Sequence, residues 1–132
     1  MTRSSSPASL PKFVGIPYGF RGAGGGLDCW QLVRAAACQL YGLTFPDPVC
    51  PRIEQAGAAM REGFRAWLKV DLPKASDVVC LTLAGQPLHT GLVLERGRFL
   101  HVLPRTTSRI DRLDGIVWRS RIEGFYRWPA SI

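Results

Sequence analysis

Lysine is scarce, histidine is scarcer, and no hydrophobic run in this 132-residue chain approaches the length of a membrane span. No membrane insertion is therefore expected. The four cysteines (Cys29, Cys38, Cys50 and Cys80) show no Cys-x-x-Cys or other metal-type spacing, and His89 and His101 are the only histidines. That pattern argues against a zinc site and, in a reducing compartment, against a disulfide framework. A Gly-Lys-Ser/Thr phosphate loop is missing. The glycine-rich run at residues 22–27 fits a dinucleotide loop poorly, because no strand precedes it and Leu27 stands where a third glycine belongs. No cofactor and no metal are expected. The segment "MTRSSSPASLPKF" lacks the apolar core of a secretory leader, so a chain made in a cytoplasm is expected. Residues 1–11 read as a flexible lead-in and residues 12–132 as one domain, without internal repeat or linker.

Hydrophobic residues make up 46% of the chain, enough for a real core. The net charge is +7, and arginine carries most of it, with eight arginines between positions 96 and 127. A basic face suits an anionic polymer, an acidic partner or nucleic acid, and a solvated surface explains it equally well. No recognition helix or RNA-binding motif accompanies it, so nucleic acid is not an expected partner.

From Cys29 the apolar positions are Cys29, Leu32, Val33, Ala36, Ala37 and Leu40, the stripe of a buried amphipathic helix. Asp28 stands at its N-cap with Gln31 three residues on, a capping-box arrangement, and Gly42 at its C′ position. Cys38 in that helix and Cys80 in an apolar strand are both expected in the core. Ile53, Ala56, Gly57, Met60, Phe64, Trp67 and Leu68 predict a second helix over 52–69. The periodicity then changes to short strands: "DVVCLTL", "HTGLVLE", "RFLHVLP", "GIVWRS" and "GFYRWP". Helices first and an antiparallel sheet after them make an α+β fold with the helices packed on one face.

The chemistry gathers at Cys29. A helix N-terminus stabilises a thiolate, and a nearby imidazolium lowers the thiol pKa further. The glycines ahead of it let the backbone approach closely and leave the sulfur reachable, and the Cys29 N–H can donate to an oxyanion. Its base must be a histidine. A two-residue turn at Arg96-Gly97 would set His89 and His101 on opposite faces. A three-residue loop of Glu95, Arg96 and Gly97 pairs Gly91 with His101, and both imidazoles then share a face. The glycine in third position favours the second register. One histidine can then serve as base and the other as its orienter. Two unrelated strand histidines and a buried cysteine account for the spacing as well.

"IPYGFRGAGGGLDCWQLV", "ASDVVCLTL", "LHTGLVLERGRFLHVLP" and "WRSRIEGFYRW" resemble, in order and spacing, the NlpC family of cell-wall cysteine peptidases, over residues 12–128. The resemblance implies a reduced papain-like α+β fold, with N-terminal helices packed on a C-terminal antiparallel β-sheet. It implies a peptidoglycan-hydrolysing cysteine endopeptidase that cuts stem peptides, typically between γ-D-glutamate and a diamino acid. In that scheme Cys29 is the nucleophile, His89 the base and His101 the orienting third residue. Tyr18 and Asp28 match positions that hold substrate; a packed aromatic and a plain N-cap are their structural counterparts. The "DCWxLV" form is most similar to versions from bacteriophage tail-gene clusters. It implies a tail-tip component, made in the bacterial cytoplasm and acting in the virion tail or at the wall, with other tail-tip proteins as partners. An amidase effector of a tail-like secretion system and a non-catalytic assembly factor are the alternatives. Trp30 and Gln31 depart from the Ser-Gly that follows the cysteine in many members, and Ser76 replaces the glycine that usually opens the first strand.

Overall fold

Asp28 has an extended backbone (ψ 177°), and its side chain accepts a hydrogen bond from the backbone N–H of Gln31, so helix α1 starts at the next residue and runs Cys29–Tyr41. The computed structural model describes residues 9–47, 53–83 and 88–131; Cys50 and the first eight residues of the lead-in lie outside them. Leu32, Val33, Ala36, Ala37 and Leu40 are all buried, as the apolar stripe predicts. Gly42 ends the helix at φ 69°, with Gly42 N–H on Cys38 O and Leu43 N–H on Ala37 O, the paired bonds of a left-handed cap. Two details differ from expectation. Gln31 donates its side-chain amide to Asp47, and its side-chain oxygen accepts from Arg34 rather than from the Asp28 N–H, so no reciprocal capping box forms. Cys38 is exposed, because it lies one residue (about 100° of helix) off the stripe, while Cys80 is buried.

Helix α2 covers Ile53–Phe64, not 52–69. Bonds from Arg65, Ala66 and Trp67 N–H to carbonyls three residues back tighten its end into a turn. That turn keeps Phe64 and Trp67 on one side, which mimics continued helical spacing. Trp67 packs against Phe64, Phe45 and Trp128 at ring separations of 5.0, 4.8 and 4.9 Å, and Trp30 joins the cluster. Leu68–Val70 leaves the turn as strand β1. At the other end of the chain, Leu10–Phe13 forms a 3-10 turn with Phe13 buried and Leu10 against the core, so the ordered domain takes in the end of the lead-in.

The sheet is antiparallel, six strands in the order β1-β6-β2-β3-β4-β5. The remaining strands are β2 (Val78–Leu81), β3 (His89–Val93), β4 (Arg98–His101), β5 (Arg109–Arg112) and β6 (Ile122–Arg127). The expected strand at "GIVWRS" is instead a turn followed by a 3-10 turn at Arg119–Arg121: Trp118 is buried while Ile116 and Val117 point to solvent. One sheet face, with Val78, Cys80, Leu92 and Leu100, packs on α1; the other, with Val79, Leu81, Val93 and Phe99, is closed by Leu113 and Trp118. Asp77, fully buried, accepts two bonds from Arg127 (2.9 and 2.8 Å) and anchors the C-terminal strand beside the start of β2. Ser76, where the resemblance leads one to expect glycine, keeps a glycine-type φ of 81°.

The arginine-rich stretch is not one free patch. Arg109, Arg112 and Arg127 are ion-paired, and Arg98 and Arg121 donate to backbone carbonyls. No helix among the described residues is long and apolar enough to cross a membrane. Trp67→Ala should cost about 3–5 kcal/mol in urea unfolding, as other buried Trp truncations do. A loss below about 1 kcal/mol would show that the aromatic cluster does not hold α2 to the sheet.

Candidate active site

The loop before α1 is closed by its own backbone. Gly19 N–H bonds Leu27 O and Leu27 N–H bonds Pro17 O, at 3.1 and 3.0 Å. A Cβ at Gly19 would lie 2.1 Å from Ala23 O, and one at Gly26 would lie 2.3 Å from Pro17 O, so neither glycine tolerates a side chain. Asp28 links loop and helix. Its Oδ1 accepts from Gln31 N–H and its Oδ2 from Arg21 N–H, both at 2.8 Å, and the residue is buried. Its capping role is therefore structural fact. Cys29 follows, half-buried, at the first helical position. Trp30 turns away into the aromatic core and donates its indole N–H to Pro46 O, so it does not wall the site.

Cys29 meets the sheet at Thr90, the residue after His89. The Thr90 backbone N–H and hydroxyl lie close enough to the sulfur to favour charge on it, and the buried hydroxyl makes no hydrogen bond among the described residues. Tyr18 is half-buried beside Cys29 and Asp28.

The β3–β4 hairpin turns through Glu95–Gly97, with Arg96 and Gly97 both at positive φ and Leu94 N–H on Arg98 O at 2.7 Å. Val93 therefore pairs Phe99 and Leu92 pairs Leu100, the register of the three-residue loop. His89 and His101 share a face, and His89 Nε2 lies 2.8 Å from His101 Nδ1. A Cβ at Gly91, between them, would come within 2.7 Å of the Phe99 ring, which explains the glycine of the His-x-Gly pattern. The structure thus makes two groups, Tyr18-Asp28-Cys29-Thr90 and His89-His101, joined through the His89–Thr90 peptide. No hydrogen bond links the Cys29 sulfur directly to His89.

Two further residues complete the histidine group, and sequence reasoning missed both. Asp111 Oδ2 lies 2.7 Å from His101 Nε2, and Trp118 packs edge-on to His101 at 4.8 Å while donating its indole N–H to the same oxygen. Asp111 sits in a charged edge strand without apolar alternation, so nothing in the local pattern announces it. Among the described residues no cluster of three or more His, Cys, Asp or Glu side chains is placed to hold a metal ion.

Burial dominates the electrostatics. It raises the Cys29 thiol above its ordinary value; Thr90 and the Trp30 N–H pull the other way, and the Asp28 charge adds to the rise. The helix terminus acts in the opposite direction, and burial is the largest influence on the thiol. Tyr18 is pushed up to about 12, by burial and then by the charges of Cys29 and Asp28. His89 is pushed down to about 3, by burial and then by His101. His101 is lowered by burial, against the pull of Asp111. For Asp111 burial acts upward, but the hydrogen bond and charge of His101 and the charge of Arg109 outweigh it and hold the carboxyl low.

A histidine with a lowered folded pKa binds its proton first in the unfolded chain, so stability is complete above the ordinary value of 6.5 and is lost as pH falls toward 3. Urea unfolding should give a level stability from pH 8 to 7 and a decline below about 6.5, with a slope of at most about 1.4 kcal/mol per pH unit for each histidine. A stability unchanged between pH 7 and 5 would contradict the buried neutral pair.

Residues 15–127 match the NlpC/P60 family. No curated protein sequence matches the chain. Among solved structures it is similar to a lipoprotein-like NLP/P60 family protein of Staphylococcus aureus, at 22% identity and a TM-score of 0.60, covering 88% of this chain and 37% of that one. It is also similar to the NlpC/p60 domain of the peptidoglycan hydrolase SagA, at 21% identity and a TM-score of 0.57, covering 90% and 92%. A third is the peptidoglycan hydrolase RipB of Mycobacterium tuberculosis, at 18% identity and a TM-score of 0.60, covering 91% and 60%. The chain thus spans little more than a third of the staphylococcal protein and nearly the whole of the SagA domain. These likenesses reproduce the α+β fold, and with a family match over most of its length the chain belongs to the NlpC/P60 family.

Proposed function

We propose that this chain is a peptidoglycan-hydrolysing cysteine endopeptidase that cuts stem peptides between γ-D-glutamate and a diamino acid. The observation that carries the reading is the 2.8 Å contact between His89 and His101 at the start of β3, next to the helix terminus that presents Cys29. Family membership supports it, and so do the peptidoglycan hydrolases among its structural relatives.

His89 Nδ1 takes the thiol proton as the Cys29 sulfur bonds to the carbonyl carbon, and the carbonyl electron pair moves onto oxygen. The Cys29 N–H at the helix terminus donates to that oxyanion. Collapse expels the amine, which takes the proton from His89, and leaves a thioester. Water then attacks with His89 as base, releasing the carboxylate and restoring the thiol. His101 holds the His89 ring, and Tyr18 and Asp28 contact the substrate beside the sulfur. The Asp28-Cys29-Trp30 form further supports a place at a phage or prophage tail tip, where partner proteins direct the enzyme to the wall.

Purified peptidoglycan digested by the wild type should release fragments ending in γ-glutamate, read by mass spectrometry, and Cys29→Ala should release none. His89→Ala should lower the rate by about 10²- to 10⁴-fold, the usual contribution of a positioned base. Intact peptidoglycan after incubation with folded, reduced wild type would sink the hydrolase reading.

A further inference from the structure

Asp111 touches neither the thiol nor any residue of the substrate approach, yet it is the best-satisfied acceptor near the site. Three donors converge on its Oδ2: His101 Nε2 at 2.7 Å, Arg109 Nε at 2.9 Å and the Trp118 indole N–H at 3.2 Å. The register places it by design of the sheet. Phe99 pairs with Asp111 and His101 with Arg109, so all four residues lie on the face that carries His89.

We propose that Asp111 is a positioning residue that sets the tautomers of both histidines and thereby decides which nitrogen of His89 is free to act as base. An ionised carboxylate can only accept, so His101 Nε2 carries the hydrogen of that 2.7 Å bond. A neutral His101 then has a bare Nδ1. The 2.8 Å contact with His89 is consequently a bond from His89 Nε2–H to His101 Nδ1. A neutral His89 is left with its lone pair on Nδ1, the nitrogen not engaged by His101. Were the carboxylate removed, His101 could carry its hydrogen on Nδ1 and donate it to His89 Nε2. The His89 proton would then sit on Nδ1, and the base would be blocked.

Trp118 makes the arrangement robust. Its ring closes over both imidazoles, edge-on to His101 at 4.8 Å and near-parallel to His89 at 6.2 Å, and it is itself buried. Water is thus kept from the buried bond between the two imidazoles. The catalytic weight of this assignment rests on the peptidase reading above; the tautomer assignment does not.

The test needs first the wild type alone, ¹⁵N-labelled on its histidines and observed near pH 8. Both histidines should show one tautomer, with hydrogen on Nε2. Hydrogen on Nδ1 of His101 overturns the proposal without any variant. Asp111→Ala and the closer isostere Asp111→Asn follow, each checked for wild-type circular dichroism. Asp111→Ala should show mixed tautomers and a kcat on peptidoglycan lower by about 10- to 100-fold, less than the ~10⁴-fold seen when a direct orienter of a catalytic histidine is changed. KM should stay near wild type, because Asp111 does not reach the substrate. Wild-type tautomers and kcat in both variants would show a merely structural ion pair and overturn the proposal. If the wild type cuts nothing, the peptidase reading fails, and the nitrogen spectra still decide the tautomers.

Discussion

The imidazoles of His89 and His101 can meet only because the β3–β4 hairpin turns in three residues. A turn one residue shorter would send one ring to the α1 face and the other to the Trp118 face. Everything else near the site is arranged around that register. Gly91 leaves room for the Phe99 ring beside the histidines. Arg96 and Gly97 take the left-handed backbone that the turn demands. The next strand pairing, β4 with β5, then carries Asp111 to the far side of His101. A single local choice of loop length therefore propagates across three strands.

The site sets two requirements against each other. A nucleophile should ionise easily, and a buried chain of imidazoles should stay neutral. The protein resolves this in favour of burial: the thiol is raised and His89 is lowered. The Thr90 hydroxyl and N–H offset part of the cost of a charge on sulfur, and they do so from the residue bonded to His89. Asp28 joins the two halves of this arrangement, since one carboxylate both starts α1 and fastens the glycine-rich loop.

The sequence carried more of this than its weak signals suggest, for reasons that can be named. Asp28, Gly42 and the stripe from Leu32 to Leu40 define α1 because capping chemistry and helical periodicity are local. The hairpin register was legible because glycine at the third loop position has a stereochemical reason. What escaped was non-local. Strand β1 hides behind Phe64 and Trp67, whose spacing imitates a longer helix. Strand β5, "RIDR", is a charged edge strand with half-exposed side chains, so no alternation marks it and Asp111 went unnoticed. "GIVWRS" reads as a strand because Ile116, Val117 and Trp118 are β-formers. Only the tertiary structure shows that Trp118 alone is needed, as a lid on the histidines. The upward pull on the thiol was not legible for the same reason: helix termini are visible in a sequence, and burial is not.

The position of the last strand has a consequence for synthesis. Ile122–Arg127 is not appended at the edge but inserted between β1 and β2, fastened by Arg127 to the buried Asp77. On a ribosome the β3–β4 hairpin emerges before the strand that fills the centre of its sheet, and Asp77 has no Arg127 to pair with until that strand follows. The sheet is therefore completed by pairing between strands far apart in the chain. A half-made chain holds Cys29 and the two histidines without the central strand of the sheet that brings them into place.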